Sequence, residues 1–487
     1  MARSDEDAGR HLAALGLWDV VSIMIGIVVG VSIYEVPPIM LQNVSGPGTA
    51  LGIWILCGLL SFVGALCIAE LASTYPHSGG DYVYLTRAFG PGLGFQFGWF
   101  QLAAIRTANI AMMGFVFADY VAKLWDVPKN QLWLWTFGAV GVLAFLNLLG
   151  VVFGKGTQNF LTLAKVIGLA GVVVAGFGWP LPQATVEPSA PTGTPSLANA
   201  LVVVFLAYGG WNDAAFVAAE VRGGPKAIAR ALLLGTAAIT LIYVLINAAF
   251  LWGLGFERAS QSKAIAADLL ALPLGEGGKR AMSLLVMISA LGAINGMLLS
   301  GSRVYATMGV DHPVFAWLGR SYGRMRTPWA ALLAQTAISL AMITVVGTDG
   351  GRALVDSLLA SVGLPPAKWE GHGGFEVLMV FTTPLFWLFF FLTSLSLFAL
   401  RRRDADIARP FAVPLYPVLP LLFSGICAYM IYAGISYARH LGLLGGLFAA
   451  AGLLTALGLL LYYLSRRMVR PRVHTGQPTV KTVSHPD

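Results

Sequence analysis

Two cations stand inside long apolar runs of this chain. Lys165 lies in Leu161-Thr162-Leu163-Ala164-Lys165-Val166-Ile167, and Arg106 follows Ile105 in an earlier run. A buried ammonium can replace a bound cation, carry a proton, or tether the backbone carbonyls of a broken helix. A guanidinium keeps its proton, so Arg106 reads as a tether. Two carboxylates sit beside glycine-rich interruptions: Glu35, three residues after Ser32, and Asp213, directly after Asn212. Each can meet a cationic group or stay solvated.

Those interruptions are Gly26-Ile27-Val28-Val29-Gly30-Val31-Ser32, followed by Pro37-Pro38, and Ala207-Tyr208-Gly209-Gly210-Trp211-Asn212. They fall in the first and sixth of the apolar runs. Five is odd, so the sixth run is antiparallel to the first. Broken helices at matching places in two inverted halves point to a transport site at the membrane midplane. Alone, Gly26-x-x-x-Gly30 also fits simple helix packing.

The elements that position these residues are set by composition. Hydrophobic residues make up 57% and charged residues 11% of 487, and mean hydropathy is +0.74. Soluble chains carry about 25% charged residues. Apolar runs of about 20 residues span a bilayer as helices, which satisfy their own backbone hydrogen bonds. The alternating ten-residue segments of a β-barrel are absent. Twelve spans are expected near 17–41, 49–69, 93–121, 132–150, 159–178, 198–219, 229–252, 282–309, 329–346, 375–400, 415–437 and 443–464. The expected fold is an all-α integral membrane protein. It has two inverted repeats of five helices (17–178 and 198–400), with helices 1 and 6 discontinuous, and helices 11 and 12 follow at 415–464. Short tails at 1–16 and 465–487 flank the 17–464 transporter unit.

The net charge of +8 reads as topology rather than as a nucleic-acid surface. Lys and Arg are more than twice as numerous on one set of loops as on the other, which places both termini in the cytoplasm. The membrane expected is the inner, or plasma, membrane. Cys57, Cys67 and Cys427 all fall within spans, so no disulfide framework follows. The first apolar run is too long for a cleaved leader, and no cleavage site follows it. Outer loops are expected to hold short helices at Ser262–Leu272 and Ala353–Val362. No role is assigned to Trp369-Glu370-Gly371-His372-Gly373-Gly374.

Catalytic motifs are lacking. Gly319-Arg320-Ser321-Tyr322-Gly323 fits G-x-S-x-G but sits in a basic loop, without the strand and helix that motif needs. No metal or phosphate motif occurs, and the histidines fall at span ends, in loops or in tails. No enzyme activity, cofactor or metal is expected.

Several motifs in order carry a resemblance. They are Glu70-Leu71-Ala72 with Pro76-His77-Ser78-Gly79-Gly80-Asp81-Tyr82; Ile105-Arg106; Gln158-Asn159 with Lys165; Leu206 to Asn212 with Glu220-Val221; Asn295-Gly296 with Ser302-Arg303; and Arg409-Pro410-Phe411. Over residues 15–425 the chain resembles the amino acid–polyamine–organocation superfamily, most of all its L-type amino acid transporter branch. The resemblance implies a carboxylate site on the amides near Val31 and Ser32, beside Gly30. It implies an ammonium site on carbonyls near Val28, Leu206 and Gly209, with Ala207 in the same break. Asn212 and Trp387 would line the side-chain pocket. Tyr34, Glu35, Arg106 and Lys165 would serve gating or coupling. Lys165 matches a sodium position of relatives, which argues against sodium coupling.

Three departures matter. Gly30-Val31-Ser32-Ile33-Tyr34 replaces the family's G-S-G-I-F, and Leu206 stands where the branch has an aromatic gate. No cysteine lies between Lys123 and Gln131, where members linked to a glycoprotein carry one, so a disulfide-linked heavy chain is not expected. The function expected is sodium-independent amino acid transport by alternating access, as exchanger or proton symporter. The alternatives are a permease for a cationic amine or polyamine, with Glu35 or Asp213 as counter-charge, and a substrate sensor on a transporter scaffold. The partners expected are a small-molecule substrate and the bilayer.

Overall fold

The computed structural model describes residues 15–181, 196–320, 327–361, 363, 374–440 and 443–468. Residues 369–373, most of the Pro-rich loop, Ser321 and the outer parts of both tails lie outside these. The regular structure of the described residues is helical, apart from one isolated bridge between Leu15 and Val221.

The first span is broken. Helix α1 (Leu17–Val28) and α2 (Ser32–Leu41) meet at a 49° bend. Pro37 and Pro38 both lie inside α2, within the expected first span. Then come α3 (Pro47–Thr74), α4 (Asp81–Phe89) and α5 (Pro91–Phe100). A π-bulge over Gln101–Ile105 joins α5 to α6 (Arg106–Trp125). Next are α7 (Leu132–Leu148), α8 (Val151–Gly178) and α9 (Leu197–Ala207). The sixth span does not resume as α-helix. It winds into a tight 3-10 segment, Trp211–Glu220. Gly210, at φ 105°, makes the turn between them, a conformation that side chains disfavour.

The second half holds α10 (Pro225–Leu254), α11 (Phe256–Gln261), α12 (Ile265–Leu274), α13 (Glu276–Asp311), α14 (Trp329–Gly347) and α15 (Asp349–Ser361). It ends with α16 (Gly374–Arg403), α17 (Val418–His440) and α18 (Leu444–Arg467). The short loop helices thus run from Ile265 and from Asp349, a few residues away from their expected starts. Among the described residues ten helices are long and apolar enough to cross a membrane, or eleven with α1–α2 counted as one span. The stretch expected as the fourth span is α7, an apolar helix of 17 residues.

The apolar window of α13 is 83% buried and that of α18 only 11%, so α13 is the axis of the bundle and α18 its rim. Helix α13 packs on α6, α8 and α1, and α3 packs on α10. Phe145, Phe160, Leu163, Ile167 and Leu241 are exposed along the helices, as a lipid-facing belt requires.

Candidate functional site

The break in α1 leaves backbone groups unpaired. The Gly30 amide bonds the Val28 carbonyl at 2.8 Å, and the Tyr34 and Glu35 amides return to the Val31 carbonyl. The Val31, Ser32 and Ile33 amides, at the start of α2 where a helix leaves its first N–H groups unpaired, show no bond to a backbone carbonyl among the described residues. They open helix α2, where the dipole and free N–H groups favour an anion. A methyl group added at Gly30 would only touch Ile27 O at 3.7 Å and Val28 O at 3.9 Å. Packing alone therefore does not require glycine there.

The break after α9 faces the same region. A group added at Gly210 would lie 3.1 Å from Ile27. Leu206 O accepts from the Gly209 amide at 3.1 Å. Trp387 of α16 is buried, stacked on Phe205 at 5.2 Å, and its indole N–H has no partner among the described residues. Tyr243 of α10 clasps the two breaks. Its hydroxyl lies 2.7 Å from Val28 O and 2.9 Å from Ala207 O, and its single proton serves either. No sequence signal marked Tyr243; it is one tyrosine in an apolar run.

Lys165 of α8 is fully buried. Its ammonium donates to Gly26 O at 2.9 Å and pairs with no carboxylate among the described residues. It is wedged between α1 and α13, since a carbon added at Gly292 would lie 3.6 Å from Nζ. At Gly26 the close approach is tighter: an added carbon would fall 1.8 Å from the Gln158 amide. Gln158 continues into a buried network, accepting from Asn295 at 2.9 Å, while Asn147 donates to Asn295 at 2.7 Å.

Two readings of the sixth span change with the structure. Asn212, expected to line a side-chain pocket, donates its amide nitrogen to Asp81, the first residue of α4, at 2.9 Å, while its amide oxygen meets no partner among the described residues. Asp213 is no free counter-charge for a cation. It is gripped by both terminal nitrogens of Arg106 and accepts from Ser300 at 3.1 Å. The π-bulge directly before Arg106 re-aims this side chain, and the Arg106 amide itself bonds Gln101 O. Arg106 is thus a tether between α6 and the sixth span. Removing one member of such a buried pair strands the other, at a cost of about 3–5 kcal/mol. Asp213→Ala should therefore lower the melting temperature in detergent markedly, and Arg106→Met/Asp213→Leu should recover much of it. A single variant as stable as the parent would contradict the tether.

The face carrying both chain ends is stitched shut. Arg303 forks onto Glu220 at 2.8 and 3.0 Å, and Leu15 pairs with Glu220 and Arg222 through backbone. Asp19 holds Lys155 at 3.2 Å and Asn159 at 2.7 Å. Glu70 takes Arg401 at 2.7 Å and the Val413 amide at 2.6 Å. At the rim, Arg87 holds the Asp404 carboxyl below the usual range, and burial pushes the Tyr75 phenol up to about 12. The opposite face opens into a cavity of about 340 Å³ lined by Tyr34, Glu35 and Tyr120. Glu35 is exposed there and accepts from Tyr120 at 3.1 Å.

This arrangement of broken helices, free amides and one-sided closure can be set against known proteins. Residues 15–457 match the amino acid permease family. The chain belongs to that family. It is similar to the human cystine/glutamate transporter, 30% identical over 420 residues, 84% of this chain and 78% of that one. It is similar to the mouse b(0,+)-type amino acid transporter 1, 28% identical over 84% of this chain and 80% of that one. It also matches the serine/threonine exchanger SteT of Bacillus subtilis, 27% identical over 84% of this chain and 88% of that one. This permease family member is a multi-pass membrane transporter and not an enzyme.

Proposed function

We propose that the chain exchanges amino acids across the membrane by alternating access, without sodium. One observation carries this: the Lys165 ammonium on Gly26 O, a cation built into the contact between the first span and α13. A bound sodium ion would have to displace it. In this reading the Val31, Ser32 and Ile33 amides take the substrate carboxylate, and the carbonyls near Val28, Leu206 and Gly209, with Ala207 in the same break, take its ammonium. Gly30 and Gly209 leave room for its backbone. Trp387 lines the side-chain pocket, and Tyr34 and Glu35 act at the mouth. Twelve spans are counted with α7 as the fourth, in two inverted repeats whose broken members hold the site.

A zwitterionic substrate fits better than a cationic amine, because Asp213 is neutralised by Arg106 and only Glu35 stays available. The names of relatives point the same way: a serine/threonine exchanger and a cystine/glutamate transporter both act on amino acids. Proton symport is the second reading. It would require the Lys165 proton to leave when α1 moves away.

The asymmetry of Lys and Arg among the loops supports a cytoplasmic side for both termini, and the plasma membrane is the membrane proposed. Ala353→Cys, at an exposed position of α15, should then react with an impermeant thiol reagent added to intact cells. Protection of that cysteine, with a proven outer cysteine reacting as control, would reverse the topology. The exchange itself is tested by uptake of labelled amino acid into preloaded vesicles in sodium-free medium.

A further inference from the structure

The cavity on the face away from the chain ends is lined by Tyr34 and Glu35 but by none of the residues whose carbonyls and amides form the two breaks. We propose that it is a second binding site, a waypoint for a zwitterionic amino acid before it reaches the breaks. This rests on the amino acid exchange proposed above.

At about 340 Å³ the cavity falls within the range of about 300–1,000 Å³ usual for small-molecule pockets. Glu35 and Glu276 line it against Lys123, Lys279 and Arg280. Much of this charge is already engaged. Lys279 donates to Glu276 at 2.7 Å, and Lys123 lies over the Tyr120 ring at 3.8 Å from its centre. What is left suits a zwitterion. Arg280 has no ion pair among the described residues, and cations outnumber carboxylates by one, so an anionic group is favoured. Glu35 gives one oxygen to Tyr120 and keeps the other for an ammonium.

A further observation concerns the wall between the cavity and the breaks. Tyr34 lines the cavity and is 4% exposed, and its hydroxyl, beside Ser289 and Tyr243, makes no hydrogen bond of ordinary length among the described residues. A buried hydroxyl so weakly met is a cost that a ligand passing from the cavity to the breaks relieves. Tyr34 follows Val31, Ser32 and Ile33 within one turn of α2. The cavity floor therefore adjoins the free amides, and a carboxylate released by Arg280 is passed to them past Tyr34.

The test is kinetic and one-sided. Labelled L-serine, L-leucine and L-glutamate are offered to cells expressing the full chain and to inside-out vesicles, and the best of the three is followed. Losing one charge-assisted hydrogen bond at a solvated site, Arg280→Ala should raise KM from the cavity side about five- to tenfold. The maximal rate should change by less than about twofold, and KM from the other face should stay unchanged. Arg280→Lys should restore most of the affinity, and Glu35→Gln should raise the same one-sided KM. Because the site is wet, that KM should also climb with ionic strength. An unchanged cavity-side KM in both Arg280→Ala and Glu35→Gln overturns the waypoint and leaves exchange standing. Equal losses from both faces overturn it too, since they mark a structural role. If the parent takes up none of the three, exchange fails, and the waypoint with it.

Discussion

Lys165→Ala should abolish transport while leaving the protein folded. The ammonium is the link from α8 to Gly26 O, immediately before the break in α1. A hydrogen bond from a charged group contributes about 1.5–3 kcal/mol. At the upper end that is roughly a hundredfold in rate. Stability should hardly suffer, because a buried ammonium with one acceptor for three donors is itself unfavourable. Lys165→Met, which keeps most of the stem, should be as inactive as the alanine variant. Initial exchange rates and melting temperatures on the same preparations decide it. A folded Lys165→Ala protein exchanging near the parent rate would remove Lys165 from the mechanism.

Gly209→Trp should be the other large loss. Gly209 is half-buried, and an added carbon would sit 3.2 Å from Leu206 O and 3.8 Å from Phe386 of α16. The indole beyond that carbon would fill the space between the unwound sixth span and α16. Gly209 does not have the positive φ of Gly210, so the backbone accepts a side chain. Folding should survive, and kcat/KM should fall by more than about a hundredfold, as expected when steric occupation costs over about 3 kcal/mol of binding. Gly209→Ala should retain much of the activity. Purified protein checked for monodispersity and assayed for exchange gives the answer, and near-normal transport by Gly209→Trp would move the site elsewhere.

The chemistry of breakage was legible in the residues. Gly26 to Ser32 and Ala207 to Asn212 are where the first and sixth spans give way, because free backbone and small residues leave a local mark on the chain. The consequences of breakage were less legible. Beyond Gly210 the chain takes a 3-10 path, whose tighter winding sends Asn212 to Asp81 and Asp213 to Arg106. Those partners lie more than a hundred residues away in sequence, and spacing within one span cannot disclose them. Tyr243 escaped for the same reason: only the fold brings its hydroxyl to the Val28 and Ala207 carbonyls at once. Lys165 was conspicuous because charge within apolar sequence is rare. Its acceptor, Gly26 O, became visible only once α1 and α8 were packed together.

Exchange in a defined bilayer tests the central claim most directly. The purified chain is reconstituted into vesicles preloaded with unlabelled amino acid and diluted into choline medium containing the labelled form. The account predicts rapid entry of label that needs internal amino acid, proceeds without sodium, and disappears in Lys165→Ala. Uptake that starts only when sodium is added, or vesicles that accumulate no amino acid at all, would contradict it.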